Sequence, residues 1–227
     1  VTLRWTERAV SPNQPYFYID LNEVTNDDWK MNMSNAKLKR DDWPEWKERR
    51  QDERFASQPL VMVTQEEAIR YCEERSKRLP TVDEWQAAAG GPWGWTYPWG
   101  ESVDLARELV KTSAYDDRAL LKPKIAASHT LEHFKHDESV FGVRDMAARV
   151  YEWTQDDNGS VGAQGASAYA DVQHLAPGDE TIDLRSWIGD LSGINTTNFR
   201  LSRWSRKTSS GNFDADLGFR CVKDRDP

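Results

Sequence analysis

The sequence has no surplus of positive charge: 30 Lys and Arg stand against 38 Asp and Glu, a formal net charge of −8. A general nucleic-acid binder carries a basic surplus or stripe, so that class is excluded. No apolar run approaches the roughly 18 residues of a membrane-spanning helix, so membrane insertion is not expected. No signal peptide is visible. Val1 at the start reads as a mature or trimmed form whose targeting segment is gone. Cysteine is scarce, with Cys72 and Cys221 alone, which excludes a four-cysteine zinc site, and their spacing excludes a CxxC redox motif. Three readings stay open for them: one disulfide, two buried thiols, or a nucleophile and a bystander. A bridge would close a loop of about 150 residues, for roughly 5 kcal/mol at most in the chain-entropy model.

Aromatics are plentiful. Eleven Trp in 227 residues is far from the composition of a disordered chain, and the length suffices for a proper core. Residues 1–15 carry little pattern and read as an N-terminal extension of a single domain spanning 1–227. Tyr16 to Leu21 reads as a strand, and Thr25-Asn26-Asp27-Asp28-Trp29 as a helix start. The dense charge of 36–57 is that of a solvated surface, or of a partner-binding arm anchored by Trp43 and Trp46. Pro59 to Val63 reads as a short strand. Thr64 with Glu67, and Thr81 with Glu84, are capping boxes that open two helices. The first helix turns Ala68, Tyr71, Cys72 and Arg75 to one face. The second runs from about Val82 to Ala89, with Trp85, Ala88 and Ala89 inward, and Gly90-Gly91-Pro92 stops it. Residues 92–100, Pro-Trp-Gly-Trp-Thr-Tyr-Pro-Trp-Gly, form an ordered irregular loop that rests on its aromatics. Val150 to Thr154 reads as a strand, 156–181 as a long loop, and Leu217 to Val222 as a last strand.

Taken together, Pro59…Thr64…Glu67-Ala68…Tyr71-Cys72…Arg78-Leu79-Pro80-Thr81…Glu84-Trp85…Tyr97-Pro98-Trp99-Gly100 resembles the formylglycine-generating enzyme family, the sulfatase-modifying-factor domain. Tyr18-Ile19-Asp20 with Glu23 to Asn26, Phe141 to Ala147 with Val150 to Thr154, and Leu217-Gly218-Phe219-Arg220-Cys221 agree in order and spacing. The resemblance covers nearly all of the chain from Tyr16. It implies an α+β, C-type-lectin-like fold with little regular secondary structure. It also implies a disulfide between Cys72 and Cys221, as in secreted members.

The same resemblance shows what is missing. The family oxidises a substrate cysteine with a cysteine pair in the stretch matching Trp187 to Thr197, and that stretch contains none; the two positions fall near Leu191 and Thr196. Neither side chain can be a thiolate nucleophile or a copper ligand, so no catalytic residue is expected. The calcium sites look altered as well. A Gly-Asn pair becomes Ala148-Arg149 while Glu152 remains, and Arg107 falls where an Asn ligand is expected. Calcium takes roughly six to eight oxygens, which a guanidinium cannot supply. Arg149 is therefore expected to replace the cation and pair with Glu152, leaving no cofactor and no calcium.

His129, His133 and His136 share one helical face but suit surface pairs with Glu132 and Asp137 better than a metal. Glu152, Asp156 and Asp157 could be read as an acid/base set, although the motif and a loop account for them. Trp187, Arg200, Arg203 and Trp204, with Arg206 and Lys207 beside them, form a basic aromatic cluster that could grip a protein partner through guanidinium forks and stacking, or could hold irregular loops together. The expectation is a non-catalytic periplasmic regulatory module. It resembles in organisation the regulator of the membrane threonine kinase that controls type VI secretion, with that kinase's sensor region or an outer-membrane lipoprotein as partner. The alternatives are a periplasmic oxidase of altered chemistry, as in siderophore maturation, and a variable ligand-display domain.

Overall fold

Three Thr-x-x-acid boxes set where the helices begin. Thr25 with Asp28 opens α1 (Asn26–Asn32), Thr64 with Glu67 opens α2 (Gln65–Glu73), and Thr81 with Glu84 opens α3 (Val82–Gly90). In each, the Thr side chain accepts from the third backbone N–H and the acid accepts from the Thr N–H, so orphan donors are satisfied within four residues of chain. α3 stops at Gly91, whose φ of +66 suits glycine, and a single 3-10 turn, Gly91–Trp93, follows. The computed structural model describes residues 3–5, 17–33, 53, 56–102, 137–147, 150–155, 161–164, 206–207 and 217–225; the strands at 3–5, 161–164 and 206–207 are described by backbone alone.

The strands make two sheets. In the first, β1 (Leu3–Trp5) pairs antiparallel with β2 (Phe17–Asp20), and β2 pairs antiparallel with β7 (Val222–Asp224). The second has the order β5-β4-β3-β6: Arg206–Lys207, Val161–Gln164, Tyr151–Gln155 and Leu217–Gly218. Its β3 and β6 run parallel, the other pairs antiparallel.

Several expectations change. The N-terminal residues that carried little pattern supply β1, an edge strand. The loop expected over 156–181 contains β4, whose Gly and Ala are poor strand formers; pairing with β3 decides the outcome over propensity. Pro59 to Val63 is buried but not a strand. Met62 turns to φ +60, Leu60 N–H bonds Val24 O at 2.7 Å, and Val63 O accepts the Trp153 indole N–H at 2.9 Å. Partners scattered over the fold take the place of a ladder there. Finally, the single terminal strand is two strands in different sheets. Phe219, Arg220 and Cys221 lie between them, fully buried, with Phe219 O and Cys221 O accepting from Val24 and Asp20 N–H. At Gly218 a Cβ would meet Leu60 O at 2.9 Å, so this crossing needs glycine.

The core has two parts. Trp29, Tyr71, Trp153 and Phe219 dominate one, and Tyr71 stacks on Trp29 at 5.6 Å and meets Phe219 edge-on at 5.4 Å. Phe17, Ile19, Trp85, Val143 and Val222 make the other. Arg75, expected on the inner face of α2, lies beyond its end with its guanidinium over the Tyr71 ring at 4.9 Å. The architecture is α+β with short elements.

Candidate functional site

Strand β3 lies between β4 and β6 and is buried along Tyr151 to Thr154. Alternation sends Tyr151 and Trp153 into the first core part, and Glu152 toward Trp85 in the second. A lone carboxylate there would be costly to bury. It is met by Arg220, from the crossing between β6 and β7. Arg220 donates Nε–H to Glu152 Oε2 and Nη2–H to Oε1, both at 2.7 Å, and Trp85 Nε1–H adds a bond to Oε2 at 2.9 Å. Both charged side chains are 0% exposed.

The remaining guanidinium hydrogens reach the carbonyls of Asp20 (3.3 Å), Leu21 (3.2 Å) and Arg144 (2.8 Å). All five donors of the guanidinium are thereby used. Burial alone would weaken its charged form. The attraction and hydrogen bonds of Glu152, helped by nearby Glu23 and Asp145, more than offset this and raise the Arg220 pKa. One side chain thus holds the central strand, the end of β2 and the turn at 138–144 to the terminal crossing. Next to it, Cys221 is bonded to Cys72 of α2, with Cα atoms 5.7 Å apart, and its N–H donates to Asp20 Oδ2 at 3.3 Å. Lys77 pairs with the other oxygen of that buried Asp20. Enclosed in this way, the Glu152–Arg220 pair positions chain segments and offers no face to a substrate.

Residues 91–100 hold their aromatics in two stacks, with Trp93 exposed and Tyr97 buried. Trp93 lies on Trp95 at 5.0 Å, and Tyr97 on Trp99 at 5.2 Å. Tyr97 and Gly100 exchange backbone bonds, Trp95 N–H bonds Gly90 O, and Thr96 is tied to Glu101 through both its N–H and its hydroxyl. Val140, on the turn at 138–144, lies against Gly91, and the Glu138–Arg144 ion pair closes that turn.

The structure joins Cys72 to Cys221. The guanidinium it places on Glu152 is that of Arg220; Arg149, expected there, lies outside the described residues. So do Trp187, Arg200, Arg203 and Trp204, the three histidines, Asp156, Asp157, Arg107, Leu191, Thr196, Trp43 and Trp46. Of the basic cluster, Arg206 and Lys207 form β5, opposite Ala163 and Gly162 at the edge of the second sheet. Among the described residues no group of three His, Cys, Asp or Glu could hold a metal ion. Glu152, the family's calcium position within them, fits a calcium ion poorly because both its oxygens already accept from Arg220 and Trp85. Sequence reading missed Arg220, although a signal existed: the two apolar runs around Glu152 and Arg220 each carry one charge, of opposite sign.

A family model described as the sulfatase-modifying factor enzyme 1-like domain matches residues 7–225. The chain is 29% identical over 165 residues to the inactive C-alpha-formylglycine-generating enzyme 2 of Bos taurus, covering 72% of this chain and 50% of that protein. It is 30% identical over 156 residues to the serine/threonine-protein kinase Pkn1 of Chlamydia trachomatis, covering 63% of this chain and 23% of the kinase. The matched stretch therefore spans half or less of these relatives. Among solved structures, Treponema denticola variable protein 1 superposes with a TM-score of 0.59 at 17% identity, over 99% of this chain and 92% of that one. The shared fold is C-type-lectin-like.

Proposed function

The chain belongs to the sulfatase-modifying factor enzyme 1-like family, and from that premise we propose that it is a non-catalytic binding and regulatory module. One observation carries the reading. The chain has two cysteines, and they are spent on each other in the Cys72–Cys221 bridge. No thiolate is left to attack a substrate or hold copper. The relative named inactive supports the same conclusion.

The module acts outside the cytoplasm, in the periplasm, where a disulfide persists. Its target is a membrane threonine kinase that controls type VI secretion, gripped through Arg200, Arg203, Trp204 and Trp187. The matching stretch in a protein named a serine/threonine kinase supports the kinase link. It holds no calcium at Glu152, in keeping with the bonds already made to that carboxylate. An oxidase of altered chemistry would ask Glu152 to move protons, and its enclosure by Arg220 does not support that role.

Two measurements test this. Oxygen uptake with a cysteine-containing peptide and copper should stay at background; turnover would end the non-catalytic reading. The immobilised oxidised protein should capture a membrane threonine kinase from solubilised envelope, and the Arg203→Ala/Trp204→Ala variant should capture several-fold less. Capture without a kinase would overturn the assigned target.

A further inference from the structure

Among the described residues three large hydrophobic side chains are exposed: Met31, Trp93 (58%) and Val140 (45%). Two of them are neighbours. A Cβ built on Gly91 would lie 2.7 Å from Val140 Cγ1 and 3.9 Å from Trp93 Cε3, so the valine and the indole both lie beside the same glycine. The turn that carries Trp93 is not loose. Gly91 and Gly94 both take positive φ, Gly94 in the left-handed helical conformation, Gly94 N–H returns to Gly91 O, and Trp95 N–H is fixed to Gly90 O. The Trp93 ring is braced from behind by Trp95 at an interplanar angle of 24°. An indole already fixed in water has little rotamer entropy left to lose on binding, which is the property of an interface anchor.

The net charge of the chain and the electronics of the indole favour a cationic occupant. Trp95 packs on Gly100, the residue before Glu101, whose carboxylate lies on this loop. Glu138 stands on the adjoining turn, where its pairing with Arg144 leaves that turn no net positive charge. The chain as a whole carries −8. A tryptophan face is the negative end of a quadrupole and attracts a guanidinium or ammonium, and an aliphatic neighbour suits the methylene stem of such a side chain.

We propose that Trp93, braced by Trp95 and flanked by Val140, is a docking platform for an arginine or lysine side chain on a basic segment of a protein partner. The proposal rests on the reading of this chain as a protein-binding module. The test is a titration of the full chain with a short oligo-arginine peptide and its neutral oligo-citrulline counterpart, followed by the indole N–H resonances. The Trp93 resonance should shift saturably with the arginine peptide and much less with citrulline. Trp93→Ala, an exposed change that leaves the core intact, should weaken binding about two- to fivefold. Met31→Ala should leave the affinity unchanged. Equal response to both peptides, or an affinity indifferent to Trp93→Ala, would overturn the proposal. Because the titration uses no kinase, a failed capture experiment leaves its result standing, and a flat titration removes this site whatever is captured.

Discussion

Arg220 and Arg78 do the same chemistry in opposite surroundings. Each closes a two-pronged bond on a carboxylate near the C-terminal strand: Arg220 on Glu152 at 2.7 and 2.7 Å, Arg78 on Glu84 at 2.7 and 2.6 Å. Arg78 also reaches Asp224 of β7 at 2.6 Å. The guanidinium of Arg78 and the carboxylate of Asp224 are 36% and 67% exposed, against 0% for both members of the inner pair. The Glu84 carboxylate, 7% exposed, is buried much as Glu152 is, but in water the unpaired charges of Arg78 and Asp224 would remain solvated, so that outer contact contributes little. Inside the fold there is no water to return to, so each inner partner is indispensable to the other even if the pair adds little over an apolar isostere.

The comparison breaks most sharply at Glu152. Glu152→Ala should cost about 3–5 kcal/mol by leaving a buried, uncompensated guanidinium, read as a lower urea midpoint. Adding Arg220→Met should recover a large part of that loss. A double variant as unstable as the sum of the single ones would show that the pair matters for more than mutual compensation. Next comes Cys72→Ala/Cys221→Ala. The bridge joins residues 149 apart beside Arg220, and its loss should cost about 2–5 kcal/mol. A negligible shift would mean that the Arg220 bonds alone hold the terminal crossing.

The smallest effect belongs to Asp224. Its bond to Arg78 holds its carboxyl below the usual carboxylate range, and this outweighs a small opposing effect of burial. Folded pKa below unfolded pKa means that its contribution is present above about pH 4 and is lost as pH falls through the folded value. At this exposure the contribution is below about 1 kcal/mol. Asp224→Asn should therefore change neutral stability little and flatten the acid limb slightly. A loss of the size expected for Glu152→Ala would erase the distinction between the two pairs.

Legibility followed the range of the interactions. The capping boxes at Thr64 and Thr81 were readable because each is complete within four residues, and both helices start where expected. Pro59 to Val63 misled because an apolar run states burial and not backbone shape. Leu217 to Val222 misled because one apolar segment can serve two sheets in succession. For the site, the pairing of the two cysteines was inferred from family resemblance, whereas Glu152 was recognised but given Arg149 as partner.

The amino-acid sequence by itself determined the family, the helix starts, the scarcity of thiols that shapes the functional reading, and the inward faces of the two helices around Cys72 and Trp85. Those properties depend on composition and on contacts a few residues apart. Only the tertiary structure decided that Arg220 answers Glu152 across 68 positions, that the terminal segment changes sheets at Phe219 to Cys221, and that Trp93 and Val140 share one exposed patch. These rest on distances between segments remote in the chain, where many charged and apolar residues compete and packing alone selects the pair.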